Sequence, residues 1–90
     1  MSQIIDNTAQ SRFELSRDGH IAYADYHLNG QVLHIDYVFA PPELRGTGAA
    51  GDLMKGIVAH ARGMGLKVHP ICGYAVAWLK RSSESQDVLI

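Results

Sequence analysis

Ninety residues leave room for one hydrophobic core, so a single domain over residues 1–90 is expected. With 47% hydrophobic and 19% charged residues the composition is that of a soluble globular domain, and a formal charge of −1 argues against the basic face of a dedicated nucleic-acid binder. No stretch approaches the roughly 18 apolar residues of a membrane span. The start, MSQIIDNTAQ, shows no secretory signal, and a lone Cys72 cannot form an intrachain disulfide, which fits a reducing cytoplasm. So small a domain should be modestly stable, and a monomer or weak homodimer with no nucleic-acid or membrane partner is expected.

Along the chain, Arg12 to Ser16 reads as a first strand, ended by the turn signal Asp18-Gly19. The segment HIAYADYHLNGQVLHIDYVFA reads as a hairpin around Asn29-Gly30. A type I′ turn there sets Leu28 opposite Gln31, Tyr26 opposite Leu33, Ala24 opposite Ile35 and Ala22 opposite Tyr37. That face, continued by Phe39, is apolar and should pack on helices. The other face pairs Asp25 with His34 and Tyr23 with Asp36, so it is mixed in character.

Pro41-Pro42 ends the strand, because proline cannot donate to the ladder. A helix should follow from about residue 47 or 48 to Arg62, with Ala50, Leu53, Met54, Ile57, Ala61 and Met64 on one face and Gly63 and Gly65 as its stop. LKVHPIC then reads as a fourth, largely apolar strand. GYAVAWLKR reads as a second helix, with Trp78 packing it onto the sheet, and the tail SESQDVLI ends in an apolar patch. The expected order is β-β-β-α-β-α, with a parallel β-α-β unit.

The stretch PPELRGTGAAGDLM holds the chemistry. A phosphate-binding P-loop would need lysine after its last glycine, and Asp52 stands there instead. Gly46, Gly48 and Gly51 match G-x-G-x-x-G, but no acid lies about 20 residues on and the strand order is wrong for a dinucleotide fold. What remains is a strand-to-helix turn of minimal side chains. It is either a tight connection or a place where backbone N–H groups and a helix N-terminus receive an anion beside Arg45.

Arg45-x-x-Gly48-x-Ala50 resembles the [QR]-x-x-G-x-[GA] signature of the GNAT acyl-CoA N-acyltransferase superfamily. With GLKVHPICGY and the short length, the chain is similar to a small single-domain branch of that superfamily. The resemblance implies an α+β, three-layer α/β/α core built on a mixed sheet, with antiparallel strands at the front, a splayed parallel pair and two main helices. It also implies acetyl-CoA as co-substrate and an amine as acceptor.

On that likeness Arg45, Gly46, Thr47, Gly48, Ala49 and Ala50 would hold the coenzyme pyrophosphate. The pantetheine arm would lie between the strand ending at Phe39 and the one ending near Ile71. Cys72 and Tyr74 match a cysteine followed closely by tyrosine, placed near the thioester. Cys72 is either an acyl acceptor, a wall of the pocket or a structural thiol, and Tyr74 either donates a proton to the leaving thiolate or packs.

Members of the branch commonly carry histidine where Tyr37 aligns. A phenol near pKa 10 is a poor base, so in the catalytic set the likeness implies, Cys72, Tyr74 and Tyr37, another group must deprotonate the amine or turnover is weak. The alternative is a coenzyme A-binding or protein-interaction module with little turnover. His69 and Cys72 supply only two potential metal ligands where a structural zinc needs four, so no metal is expected.

Overall fold

A computed structural model describes residues 4–90. The chain forms β1 (Ile4–Asn7), β2 (Arg12–Arg17), β3 (His20–Asn29), β4 (Val32–Phe39), α1 (Ala49–Met64), β5 (Lys67–Pro70) and α2 (Gly73–Arg81). Short 3-10 turns cover Pro42–Leu44 and Ser83–Ser85. The five strands stand in sequence order in one sheet, antiparallel up to β4, with β4 and β5 parallel. This is the expected α+β mixed sheet with two main helices, preceded by a strand the sequence reading lacked. β1 carries no apolar alternation. It is held by pairing with β2, by the Tyr26 hydroxyl donating to Asp6 Oδ1 at 2.6 Å, and by Ile4 lying over Gly56 of α1. Burial and that bond to Asp6 push the Tyr26 phenol up to about 12.

The β2–β3 hairpin turns on Asp18 (φ 52) and Gly19 (φ 78), both left-handed as a type I′ turn requires. The β3–β4 hairpin closes on the pair Asn29–Val32, one residue later than expected, with Gly30 and Gln31 as its loop. Leu28 therefore faces Leu33 and Tyr26 faces Ile35. These apolar cross-strand pairs win over the preference for Asn-Gly in the loop.

Further on, Tyr26 faces Ile35 while the next residue back, Asp25, faces Tyr37. One step on β3 thus spans two on β4, and Asp36 is the extra residue of a bulge. The bulge reverses the alternation of β4. Val38 turns inward opposite buried Ala24, while Tyr37 and Phe39 turn outward opposite Asp25 and Tyr23. Their expected place on the helix-covered face is therefore corrected. His34 pairs with His27 rather than with Asp25, and Tyr23 with Phe39 rather than with Asp36.

One core holds Phe13, Leu15, Ala22, Ala24, Leu33, Ile35 and Val68 from the sheet with Leu53, Met54, Ile57, Ala75 and Leu79 from the helices. Both helices contribute side chains to this one core. On α1 the buried stripe is Ala49, Leu53, Met54, Ile57, Val58 and Ala61; Ala50 is half-buried and Met64 is exposed. β5 alternates, with only Val68 fully buried, so it is not the largely apolar strand expected. Trp78 turns toward α1 rather than the sheet, its Nε1 lying 3.5 Å from where Gly51 would carry a Cβ.

The C-terminal segment docks on β5. Val88 is buried, the Val68 amide donates to Val88 O at 2.7 Å, and the Ile90 amide donates to Val68 O at 3.0 Å. Arg62 grips Asp87 with two bonds of 2.8 and 2.7 Å, which holds that carboxyl down at about 2.

Gly63 lies inside α1, and Gly65 alone is the stop. Gly65 adopts φ 71 while the Leu66 amide donates to Ala61 O at 2.8 Å and its own amide to Arg62 O at 3.3 Å. Opposite outcomes follow for one substitution at the two sites. A Cβ at Gly63 meets nothing within 4 Å, so Gly63→Ala should stabilise by about 0.5–1 kcal/mol. Gly65→Ala should cost about 1–2 kcal/mol through the left-handed backbone. Thermal unfolding of both variants measures this, at about 4–8 °C per kcal/mol in a domain of this size.

Candidate active site

The site begins where the parallel pair stops. β4 and β5 pair from Val32–Lys67 to Ile35–Pro70. Pro70 offers no N–H, and the amides of Ile71 and Cys72 both donate to Ile35 O, at 2.9 and 3.2 Å, as the chain turns into α2. The last four residues of β4, Asp36–Phe39, run on with no strand beside them on that edge. Tyr74 on the first turn of α2 forms the far wall. Between them opens a cleft of about 420 Å³, lined along β4 by Tyr37, Val38, Phe39 and Ala40 and closed at its base by Leu44–Gly46 and Gly48–Gly51.

The turn at the base is held by its own bonds. Arg45 Nε donates to Ala40 O at 3.1 Å. The Thr47 hydroxyl donates to Leu44 O at 2.5 Å and accepts from the Ala49 amide at 3.3 Å. Gly46 and Gly48 both stand at φ 81, and a Cβ on either would meet nothing within 4 Å. They are glycines for backbone conformation, not for crowding. The first bond closing α1 runs from the Asp52 amide to Gly48 O at 2.9 Å, so the amides of Ala50 and Gly51 precede it at the positive end of the helix.

An acid in this first turn, Asp52, opposes anion binding, and the fold offsets it. Arg17 Nη2 meets Asp52 Oδ2 at 2.6 Å while Arg17 Nη1 donates to Thr47 O at 3.2 Å. Arg17 lies thirty residues before Thr47, and no sequence signal ties the two together.

Of the site residues expected from sequence, the cleft gathers Tyr37, Phe39, Arg45, Gly46, Gly48, Ala49, Ala50 and Tyr74. Thr47 shapes the turn without lining the cleft. Cys72 stands at the start of α2, half-buried and packed against the core rather than on the cleft wall. Val38, Ala40, Leu44 and Gly51 join the lining without having been expected. Burial raises the Tyr74 phenol above its ordinary value, partly opposed by Arg81. No carboxylate or imidazole lines the cleft.

The outer face of the sheet carries a separate polar group. His27 Nδ1 lies 2.9 Å from Asp36 Oδ2, the His27 and His34 rings stack at 4.4 Å, and His69 meets His34 edge-on at 5.2 Å. Among the described residues no three His, Cys, Asp or Glu side chains are arranged to hold a metal ion.

A mixed sheet whose parallel pair parts above an anion-ready helix start is the architecture of the GNAT class. The chain matches, over residues 12–88, the family described as GCN5-related N-acetyl-transferase, and it belongs to that family. It is similar to a protein from Staphylococcus aureus whose solution structure is described as GCN5-like and classed as an N-acetyltransferase. That likeness carries 27% identity and a TM-score of 0.78, covering 98% of this chain and 87% of the other. No curated protein matches the chain.

Arg17→Ala should free the Thr47 carbonyl and leave Asp52 unpaired at the mouth of the turn. The expected cost is about 1 kcal/mol of stability. Amide exchange at Ala49–Asp52 should quicken more than exchange in the centre of α1, and hydrogen-exchange mass spectrometry or NMR reads both.

Proposed function

We propose that the protein binds acetyl-CoA in this cleft and transfers the acetyl group to a primary amine. The observation that carries the reading is the conjunction, in one cleft, of the unpaired edge of β4 with the Arg45–Gly51 turn. The pyrophosphate would take the amides of Gly46, Gly48, Ala50 and Gly51 with the Arg45 guanidinium beside them. The pantetheine arm would run along Asp36–Phe39 and pair with backbone groups that have no strand on that side.

In this reading the amine nitrogen attacks the thioester carbonyl, backbone amides of the β4 edge stabilise the oxyanion, and the carbon–sulfur bond breaks. Tyr74 gives its proton to the departing thiolate and regains one from the amide nitrogen through solvent. Transfer is direct, because Cys72 sits against the core. Cys72→Ala should therefore keep turnover within about threefold, less than 1 kcal/mol of barrier. A loss of several hundredfold in a kinetic assay would instead assign the acyl group to the thiol.

Thermal unfolding with and without acetyl-CoA tests the coenzyme site. Ligand at about 100 times its dissociation constant adds about 2.7 kcal/mol, on the order of ten degrees here. Arg45→Ala should remove most of that shift. No shift at millimolar acetyl-CoA would overturn the proposal.

One observation favours a second reading, a coenzyme A-binding or interaction module with little turnover. Among the described residues the cleft lining includes two phenols and a guanidinium, Tyr37, Tyr74 and Arg45, and no carboxylate or imidazole to act as general base. Acetyl-CoA binding without acetyl transfer to any amine tried would support it.

A further inference from the structure

We propose that the acceptor binds on the outer face of the sheet, beside the cleft, as a small cationic amine with an aromatic or bulky apolar body, and that Asp25 anchors its ammonium. The inference rests on the coenzyme reading above, because it takes the thioester to lie against the end of β4. Its structural root is the bulge at Asp36. By turning Tyr37 and Phe39 outward, the bulge makes the same two residues part of the cleft wall and part of the outer face. A molecule lying on that face is next to the coenzyme without entering its channel.

The face has a defined chemistry there. Tyr23 and Phe39 are register partners whose rings pack at 5.4 Å, and Ile21 and Tyr37 flank them, 45% and 50% exposed. This apolar strip ends at Asp25, which pairs with Tyr37 on one side and Arg12 on the other. Asp25 is half-buried, and among the described residues it has neither a hydrogen bond nor an ion pair. The one cation beside it is already engaged. Arg12 Nε meets Glu14 at 2.8 Å and its guanidinium lies 4.7 Å over the Tyr23 ring.

An unpartnered carboxylate at the edge of an aromatic strip suits an ammonium group, which satisfies the anion while its body covers the rings. A neutral acceptor would cover the rings and leave the carboxylate unpaired. Asp25 captures the amine in its charged form beside the cleft; the nitrogen then leaves the carboxylate, gives one proton to solvent water and attacks as the free amine at the β4 edge.

The test is amide chemical-shift mapping with phenethylammonium chloride, run on the intact protein with coenzyme A present and absent. The expected result is shifts centred on Tyr23, Asp25, Tyr37 and Phe39, with affinity falling about fivefold or more in Asp25→Asn and returning to within about twofold in Asp25→Glu. Phenethyl alcohol, the same body without the charge, should bind the wild type no better than the amine binds Asp25→Asn. Shifts centred elsewhere, unchanged affinity in Asp25→Asn, or equal binding of the alcohol would each overturn the proposal. Equal binding of a lysine side-chain analogue, which carries the charge without the flat body, would overturn the choice of a small apolar amine. The coenzyme reading is scored separately, by whether acetyl-CoA shifts the amides of Gly46, Gly48 and Ala50 in both proteins. If those stay still while the amine maps to Asp25, the coenzyme reading fails and the amine surface stands.

Discussion

Everything of functional interest depends on one mismatch, the four residues by which β4 outruns its parallel neighbour. A sheet strand normally satisfies both edges, and an unpaired edge is a liability that proteins cover or shorten. Here Pro70 cannot extend the ladder, two amides converge on Ile35 O instead, and the chain leaves for α2. The edge of Asp36–Phe39 is left facing a cleft rather than a strand. The extra residue at Asp36 acts at the same point, so loss of pairing on one edge coincides with reversed alternation on the faces. A gap alone would give a slot lined by backbone; the bulge also sends Tyr37 and Phe39 to the far side.

The turn below the cleft solves an electrostatic problem. A helix start attracts anions through its unbonded amides and its dipole, yet Asp52 puts a full negative charge in that first turn. The pairing with Arg17 at 2.6 Å cancels it, and the second bond from Arg17 to Thr47 O ties the turn to β2. Arg45 is fixed through Nε to Ala40 O. The arginine that neutralises Asp52 and the arginine that lines the cleft are thus different residues, each anchored to a backbone carbonyl.

Much of the fold was legible because it is written in local chemistry. Asp18-Gly19, Pro41-Pro42, Gly65 and the three-four spacing of α1 mark their own positions, and α2 spans the nine residues read from sequence. What was not legible is what long-range pairing decides. β1 has no pattern of its own and is defined by β2, Tyr26 and Gly56. The hairpin slipped by one residue because Leu28 and Leu33 prefer each other, a choice that lies in both strands and not in the turn. The bulge at Asp36 has no signature in the sequence, and it alone moved Tyr37 and Phe39 across the sheet. The glycine turn was readable as a turn, but Arg17 was not readable as part of it. Cys72, singled out by its position in a motif, is half-buried against the core.

The bare outer face also bears on the contest between enzyme and binding module. A domain of ninety residues with both helices on one side leaves the opposite side of its sheet to water, and most of that face pays its way with Glu14, Arg12, His27, His34 and Asp36 in mutual contact. Stability alone would favour the same treatment at the end near the cleft. There the pattern breaks: Ile21 and Tyr37 stand exposed, and Asp25 has no partner. Among the described residues the cleft is lined by the phenols of Tyr37 and Tyr74 and by no carboxylate or imidazole. In the proposed reading, an apolar strip and an unpaired carboxylate beside the cleft suit a protein that brings a charged amine to it more than one that only binds a coenzyme. The missing base still matters, since a carboxylate beside an ammonium favours its charged form, and the nitrogen must give a proton to water before it attacks.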